Sequence, residues 1–514
     1  MEPPAGDRVD LAALVAAVSL AADLASGVTL EHGLRTCLLA TRLAERAGLD
    51  AAARRDVYYT ALLRSIGCTS DAHEQSALFG DEIAARTELN LAAHLPPRQL
   101  LGVLARHAGA GEPPLRRVQA LGRVLAAGRE MPRSVATAHC QAAERLGRRL
   151  GFAGPVAGSL DSLFERWDGR GYPRGLRAEA IPQAARFTQV AYDALLLHEH
   201  LGGTDQVAAA AGTLYDPGVA GLLRPGDTAD AAGLLSPWDD TLAAEPGGPT
   251  PLDGERLDEA CRAAADFADL KSPWLLGHSR AVAELAEAAA WRLGMAAPDV
   301  DLVRRAALLH DLGRVTVPSG IWDRPGPLRG ADWELVRLHA YQTERALARS
   351  SGLAALGTIA AAHHERLDGS GYHRGARAAQ LALPARLLAA ADCYQAMTEA
   401  RPHRAALPPA QAAAGLQDQV RAGRLDRECA AAVLAAAGQA VTAQGRRRTP
   451  GDLSPREVEV LCLLARGQSN RQIAGRLGIT PKTAGHHVQH IYTKIGASTR
   501  ATAALFALEN GLLA

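Results

Sequence analysis

Two segments of this chain of 514 residues have nearly the same sequence and lie 200 residues apart. Residues 165–175 read ERWDGRGYPRG and residues 365–375 read ERLDGSGYHRG, so eight of the eleven positions are identical. Such a match, with glycines at the same places, indicates an internal duplication rather than a chance motif. The chain is therefore expected to contain one structural unit twice.

The duplication extends beyond the two loops. Further landmarks pair at fixed offsets, 246 residues for the first two pairs and 200 for the third: His32 with His278, Arg64 with His310, and His139 with His339. The earlier copy therefore has 46 extra residues between its second and third landmarks. This insert, around residues 69–138, has no counterpart in the later copy, and the sequence gives it no role.

The composition favours a helical protein without disulfides. Ala, Leu and Arg are abundant and have the highest helix propensities, and no run alternates cleanly enough to predict a sheet. Seven dispersed cysteines without a Cys-x-x-Cys pair are typical of reduced thiols in a cytoplasmic protein. We see no signal peptide and no long apolar run, so we expect a cytoplasmic protein without a membrane span.

Turn-rich tracts divide the helical pattern into domains. We predict an all-α chain with a first helical domain over residues 1–224, a linker over 225–255, and a second over 256–440. A basic, turn-forming linker over 441–452 then leads to a compact C-terminal domain over 453–514. The whole chain has a formal net charge of +1, so any nucleic-acid surface must be local.

The later copy contains histidines and aspartates that together could bind metal. The candidate ligands are His278, His310, Asp311, His339, His363, His364 and Asp392. Imidazoles with carboxylates suit first-row transition metals, with iron or manganese favoured here and zinc a further option. Seven ligands exceed the need of one ion, so we expect two ions that share Asp311. Two such ions, roughly 3.5–4 Å apart, can activate water for in-line attack at phosphorus.

Arg314 follows Asp311 by three residues and could clamp a phosphate oxygen, provided that the helix continues that far. A lone histidine on a helix is more often packed or solvated than a metal ligand. The adjacent His363 and His364 would also point about 100° apart on an ideal helix. The metal prediction therefore depends on the ordered set and not on any single residue.

That ordered set resembles the HD-GYP family of metal-dependent phosphohydrolases, which linearise cyclic di-GMP. The matching segments between residues 256 and 440 include LLHDLGR, LHAYQTERAL, HHERLDGSGY and AADCYQAM. The resemblance places all seven candidates on the family's ligands, with His310 and Asp311 as the signature pair. It also places Arg401 and Arg404 at the substrate phosphates, where we expect Arg314 and Tyr372 to join them.

Three positions depart from the family pattern. Arg314 stands where a lysine is usual, so the charge is kept while the geometry changes. His373 replaces the proline of the Gly-Tyr-Pro tripeptide. Trp274 stands where some members place a carboxylate for a third metal, which favours two ions here. These departures preserve the metal ligands and leave the substrate open.

The earlier copy resembles the same fold without its chemistry. Arg64 and Ser65 replace the signature pair, while Leu163, Phe164 and Tyr192 replace other ligands. Only His32 and His139 remain, which are too few for a two-metal site. We therefore predict a structural or sensory role, with a converted ligand pocket around Arg64 and Arg166 as the alternative.

Residues 453–514 resemble a LuxR-type helix-turn-helix domain of four helices along their whole length. From Arg446 to Ala514 the chain has ten Lys or Arg and four Asp or Glu. Ser454, Gly478 and Thr480 are placed to cap helices or to form the turn. The recognition-helix residues that we expect to meet DNA are Lys482, Thr483, His486, His487, Gln489, His490 and Lys494.

Together these features predict a LuxR-family transcription regulator with a metal-dependent phosphodiesterase domain. The expected partners are promoter DNA with paired half-sites, a cyclic dinucleotide such as cyclic di-GMP, and a second copy of the chain in a homodimer. Two alternatives stay open: a regulator that senses metal and nucleotide without turnover, and a phosphohydrolase that acts on another phosphate ester.

Overall fold

The protein is described by a computed structural model that covers residues 9–128, 130–440, 451 and 453–513. It divides into two compact units. The first comprises Met1–Arg256 with Pro318–Gly320, and the second comprises Leu257–Val317 with Ile321–Ala514. The fold is all-α, as the sequence predicts. Among the described helices, none is both long and apolar enough to cross a membrane.

The first unit is a set of helices closed by one short strand pair. The helices are α1 Leu11–Ala25, α2 His32–Arg46, α3 Ala51–Leu62, α4 Ala72–Phe79, α5 Glu82–Leu89, α6 Pro97–His107, α7 Pro114–Ala127, α8 Glu130–Arg149, α9 Pro155–Leu160, α10 Gln183–Leu201, α11 Asp205–Ala209, α12 Pro217–Ala220, α13 Asp227–Ala232 and α14 Pro237–Ala243. Strands β1 (Val9–Asp10) and β2 (Pro251–Leu252) pair antiparallel.

The tract that the sequence suggests as a linker, residues 225–255, is folded and belongs mostly to the first unit. It contains α13, α14 and β2. Trp238 on α14 is buried, and Asp227 forms a two-pronged ion pair with Arg46 on α2. The Pro and Gly residues of the predicted linker therefore begin and end short helices. The second predicted linker, 441–452, lies outside the described residues except for Gly451.

The candidate ligands lie in the second unit, on three of its helices and on turns that follow two others. The helices of this part of the chain, of which α15 and α18 begin with residues of the first unit, are α15 Gly254–Asp269, α16 His278–Arg292, α17 Ala297–Leu309, α18 Ser319–Trp322, α19 Gly330–Leu347, α20 Ser351–Ala360, α21 Leu383–Thr398, α22 Pro409–Arg421 and α23 Arg427–Ala440. The C-terminal segment adds α24 Pro455–Ala465, α25 Asn470–Leu477, α26 Pro481–Ile495 and α27 Arg500–Glu509.

Helix boundaries in the two units follow the offsets read from the sequence. Helix α2 begins at His32 and ends at Arg46, and α16 begins and ends 246 residues later, again at a histidine and an arginine. Helix α21 begins 200 residues after α10. A buried aspartate caps the same turn in both units: Asp23 accepts the N–H of Gly33, and Asp269 accepts the N–H of Ser279. The shared sequence therefore encodes shared local structure.

The twin loops are held by one buried carboxylate each. Glu165 accepts the backbone N–H groups of Arg174 at 2.7 Å and Leu176 at 2.8 Å. Glu365 accepts those of Arg374 at 2.7 Å and Ala376 at 2.8 Å. Charge-assisted bonds to two amides explain why the motif keeps a glutamate at its first position.

A glycine in each loop allows the backbone to approach that glutamate. A Cβ atom at Gly171 would lie 2.2 Å from the Arg166 nitrogen, and one at Gly371 would lie 2.5 Å from the Arg366 nitrogen. No side chain fits at such distances, so this glycine is required by packing.

The insert of the first unit is helical and has its own small core. Helices α4 to α7 cover most of residues 69–138. Phe79, Ala85 and Val124 form a buried cluster. Arg86 is buried and donates hydrogen bonds to Asp71 and Gln75, which fixes α5 against the start of α4.

The C-terminal helices are capped as the sequence predicts. Ser454 and Glu457 form a capping box on α24, and Ser469 forms one with Gln472 on α25. Gly478 ends α25 with a φ of 65°, and the Thr480 side chain accepts the backbone N–H of Thr483 on α26. Local signals are therefore sufficient to place these helix ends.

The loop contacts make a prediction about stability. Glu165→Gln keeps the shape of the side chain but leaves one of the two amide N–H groups facing an NH₂ group. We expect a local loss of about 1–3 kcal/mol, the usual consequence of a buried donor without an acceptor. Peptide-resolved hydrogen exchange over residues 162–177 measures it. Glu179→Gln, at an exposed position two residues beyond this segment, is the control, and equal protection of residues 162–177 in both variants would contradict the assignment.

Candidate metal centre

The signature pair lies where two kinds of helix meet. Helix α17 ends at Leu309, His310 caps it, and Asp311 precedes a 3₁₀ turn over Leu312–Thr316. His310 donates from Nδ1 to the carbonyl of Ala307 at 2.6 Å, which points its Nε2 toward Asp311. Both side chains are fully buried.

The ligand candidates form two groups. The ligand atoms of His278, His310 and Asp311 all lie within 4.8 Å of one another, and so do those of His339, His363 and His364. The Nε2 atoms of His339 and His363 are 3.1 Å apart. A cation is the natural partner for imidazole nitrogens that converge in this way.

Asp311 lies between the two groups with one oxygen toward each. Its Oδ2 is 3.0 Å from His310 Nε2 and 3.6 Å from His278 Nε2. Its Oδ1 is 3.5 Å from His363 Nε2 and 3.6 Å from His339 Nε2. This is the geometry of a carboxylate that can bridge two ions.

Asp392, on α21, also faces both groups. Its Oδ1 is 3.2 Å from His278 Nε2, and its Oδ2 is 3.7 Å from His364 Nδ1. All seven predicted ligands therefore come together in the second unit, although they are spread over 115 residues of sequence.

The adjacent histidines share a site because they are not helical. Helix α20 ends at Ala360, and residues 361–364 form a turn. The rings of His363 and His364 therefore lie with their centroids 4.0 Å apart instead of pointing in different directions. The concern that an ideal helix would separate them does not apply.

Arg314 reaches Asp311 through the 3₁₀ turn. Because residues i and i+3 eclipse in a 3₁₀ helix, its Nη1 lies 2.7 Å from Asp311 Oδ2. Burial alone would raise the pKa of Asp311, but Arg314 and His310 outweigh it and hold that pKa well below its ordinary value. Asp311 is therefore an anion at neutral pH.

The histidines of the second group are neutral. Burial lowers the pKa of His339 to about 4 and that of His363 well below its usual range. Metal ligation requires the unprotonated nitrogen. In the first group, burial opposes protonation of His278, but Glu399 and Asp392 raise its pKa to about 9. A metal ion that binds His278 Nε2 would therefore displace a proton from it.

Buried atoms without aligned hydrogen bonds show that the residues fit metal ions. They are His278 Nε2, His310 Nε2, both carboxylate oxygens of Asp311, and Asp392 Oδ1. Leaving such atoms unsatisfied is costly, about 1–3 kcal/mol each, whereas divalent cations satisfy them together.

The predicted substrate residues differ in what they contact: Tyr372 lies beside a metal ligand, whereas Arg401 and Arg404 bond to other protein groups. The Tyr372 ring lies 4.7 Å from that of His364. Arg401 donates to Glu399 at 2.7 Å and to the Trp274 carbonyl at 2.8 Å. Arg404 instead donates to the carbonyls of Met397 and Glu399, both at 3.1 Å, and so caps the end of α21. Its phosphate contact stays a prediction.

The predicted DNA-contacting residues all lie on α26. Lys482, His486, Gln489, His490 and Lys494 are exposed, whereas Thr483 and His487 are half-buried. Lys494 donates to Glu457 of the capping box at 2.7 Å and therefore also stabilises the domain. Gly485 leaves the middle of this helix without a side chain.

Comparisons with known proteins agree with this geometry. Residues 262–429 match the family model described as HD domain, and residues 452–507 match bacterial regulatory proteins of the luxR family. The first match includes every candidate ligand, and the second includes α26. This chain therefore contains an HD domain followed by a LuxR-family domain.

Relatives with an HD domain differ in how much of this chain they share. A 3′3′-cGAMP-specific phosphodiesterase 3 of Vibrio cholerae is 28% identical over 439 residues, covering 82% of this chain and 94% of the relative. A cyclic di-GMP phosphodiesterase of Pseudomonas aeruginosa is 39% identical over 128 residues, covering 25% of this chain and 31% of the relative. A crystal structure of a cyclic GMP-AMP-specific phosphodiesterase of V. cholerae aligns with a TM-score of 0.56 at 26% identity, covering 84% of this chain and 98% of that chain.

The equivalent place in the first unit is filled. The Arg64 guanidinium lies 3.5 Å from the centroid of the Tyr192 ring and 5.4 Å from that of Phe164. His139 donates from Nε2 to the Arg64 carbonyl at 2.7 Å, and the His32 ring packs edge-on against Tyr192. In the described part of this unit, no three metal-binding side chains come together as they do in the HD domain.

Because His139 is buried and neutral, the first unit is expected to lose stability in acid. Burial lowers the pKa of His139 to about 3, against about 6.5 in an unfolded chain. Between these values only the unfolded chain binds the proton, so stability falls as the pH drops from about 6.5 toward about 3. The loss between about pH 7 and about pH 5 is about 2 kcal/mol.

His139→Gln keeps a donor for the Arg64 carbonyl but removes this titration. Hydrogen exchange in α8, followed against pH, should therefore show a shallower loss of protection in this variant. The exposed His200→Gln should behave like the wild type. Parallel curves for His139→Gln and the wild type would show that His139 does not control the acid response.

Proposed function

We propose that the HD domain is a two-metal phosphodiesterase for cyclic dinucleotides and that the LuxR-family domain links it to promoter DNA. The observation that carries this proposal is Asp311, which turns one carboxylate oxygen to each group of histidines. When bound, two divalent ions, iron or manganese before zinc, would supply Lewis acidity and an activated water. One ion would be held by His278, His310, Asp311 and Asp392, and the other by Asp311, His339, His363 and His364.

The side chains of the HD domain are suited to hydrolysis of a phosphodiester. The oxygen of water joins phosphorus, the bond from phosphorus to the ribose oxygen breaks, and that oxygen takes a proton. Arg314 is buried beside Asp311 and would neutralise charge on the phosphoryl oxygens. Tyr372 packs beside His364 and would contact the substrate at the edge of the site.

The substrate class is supported by the relatives. The V. cholerae enzyme, whose match covers 82% of this chain, is named for 3′3′-cGAMP, whereas the P. aeruginosa enzyme, whose match covers 25% of this chain, is named for cyclic di-GMP. We therefore propose a cyclic dinucleotide as substrate and place 3′3′-cGAMP beside cyclic di-GMP as the candidates.

We propose that the first unit is an HD-like domain without catalysis. Arg64, Phe164 and Tyr192 stand where the HD domain has His310, His364 and Asp392. The stacked guanidinium and rings fill the space that metal ligands use in the second unit. This arrangement supports a structural or sensory role.

We propose that the LuxR-family domain binds DNA through α26. Its exposed lysine, glutamine and histidines can reach base edges and phosphates in the major groove. Domains of this kind usually read paired half-sites as dimers, so we expect a homodimer on the promoter.

Asp311→Asn tests the catalytic proposal. The substitution removes the charge shared by both groups of histidines, so we expect bound metal to fall and kcat to drop by more than about 100-fold. Manganese content and hydrolysis of 3′3′-cGAMP, cyclic di-GMP and cyclic mononucleotides are measured together. Ser65→Ala, at the equivalent position of the first unit, is the matched control and should keep both properties.

The same experiment separates the alternatives. A wild-type protein without bound metal would overturn the catalytic proposal. Metal and nucleotide binding without turnover would favour a sensor, and turnover of another phosphate ester would change the substrate class.

Lys482→Ala tests the DNA interface. Loss of one phosphate contact should weaken binding to the protein's own promoter region and reduce the slope of log affinity against log salt by about 1. Arg421→Ala removes one exposed positive charge from α22 of the HD domain and serves as the control. Equal affinities for Lys482→Ala and the wild type would count against α26 as the reading helix.

A further inference from the structure

Glu399 is a residue of the metal centre that the sequence analysis did not identify. We propose that Glu399 is a positioning residue: its carboxylate accepts the Nδ1 proton of His278 and thereby presents Nε2 as the metal-binding atom. The two atoms, His278 Nδ1 and Glu399 Oε2, are 2.8 Å apart. This inference rests on the proposed metal binding but not on the identity of the substrate.

His278 needs such a partner because of its place in the fold. The other histidines with a fixed Nδ1 use a carbonyl three residues earlier in their own turn: His310 uses Ala307, His339 uses Val336 and His363 uses Ala360. His278 is the first residue of α16, and its backbone N–H bonds to the carbonyl three residues earlier, that of Leu275, at 3.0 Å. Its Nδ1 faces Glu399 instead of a carbonyl of its own turn.

Glu399 is held in place for this contact. Its Oε1 accepts from Gln395 at 3.0 Å, and its Oε2 accepts from Arg401 at 2.7 Å. These two donors hold the carboxylate in the position from which it contacts His278.

The first unit contains the same pair without the same support. Glu199, 200 residues before Glu399, faces His32 Nδ1 at 3.4 Å. The positions equivalent to Gln395 and Arg401 are Leu195 and Leu201. The two donors that hold Glu399 are therefore absent at the equivalent positions of the first unit, where Thr29 donates to Glu199 at 3.0 Å instead.

Loss of Glu399 would favour the wrong tautomer of His278. The other group near Nδ1 is Arg401 Nη2, at 3.4 Å, which can only donate. An Nδ1 that accepts from Arg401 leaves the proton on Nε2, the atom that faces Asp311 and Asp392. That proton would compete directly with a metal ion.

The test compares Glu399→Ala and Glu399→Gln with Glu199→Ala as the matched control. The affinity for Mn²⁺ alone is measured in chelator-buffered solution without nucleotide. We expect Glu399→Ala to weaken binding of at least one ion about 10–100-fold. Glu399→Gln should lose less, because its carbonyl can still accept the proton, and Glu199→Ala should bind like the wild type.

Two results would overturn the assignment. One is Mn²⁺ affinity of Glu399→Ala within about threefold of the wild type, well short of the loss expected for an orienting partner. The other is an equal loss in Glu199→Ala. Far-UV circular dichroism checks folding, and Glu399→Gln carries the comparison if Glu399→Ala does not fold.

The test also separates this inference from the proposed function. If the wild type binds Mn²⁺ but hydrolyses none of the nucleotides, the proposed function fails and the role of Glu399 is still decided by affinity. If the wild type is active, saturating Mn²⁺ should restore much of the kcat of Glu399→Ala. Activity that stays low at saturating Mn²⁺ would contradict a role through the metal.

Discussion

The buried carboxylate of Asp311 is the charge around which the second unit is organised. It lies at the junction of α17 and a 3₁₀ turn, where it meets histidines from three other segments and the guanidinium of Arg314. An isolated anion in such a place would be neutralised by a shift in its pKa. Here the surroundings keep Asp311 ionised, and they bring the start of α16, the ends of α17 and α20 and the middle of α19 together.

The sequence predicts much of this because its signals are local or repeated. Capping boxes place α24 and α25, and the two offsets place the ligand-bearing helices of both units. The turn that joins His363 to His364 could not be read, since helical periodicity gives no sign of where α20 ends. The hydrogen bonds of Arg404 to the end of α21 were not predicted, and its phosphate contact stays a prediction. Glu399 was missed because its partner lies 121 residues away.

A comparison of the two units distinguishes the residues that stabilise the fold from those that could bind metal. Glu165 and Glu365 make the same pairs of backbone contacts, although the ligands near the first have been replaced by Arg64, Phe164 and Tyr192. The glutamate and glycine of the loop therefore stabilise the backbone whether or not a metal can bind nearby. A search based on the loop finds this architecture, whereas only the histidines and aspartates identify a possible enzyme.

The hydrogen bonds of the imidazoles also bear on how the site assembles. His310, His339 and His363 are oriented by carbonyls three residues away, so each ring can be set as soon as its own turn forms. His278 depends on Glu399, and the two meet only when the start of α16 and the end of α21 have packed. The ligand that is synthesised first therefore meets its orienting partner last, and on our proposal a nascent chain reaches full metal affinity only after residue 399 has emerged.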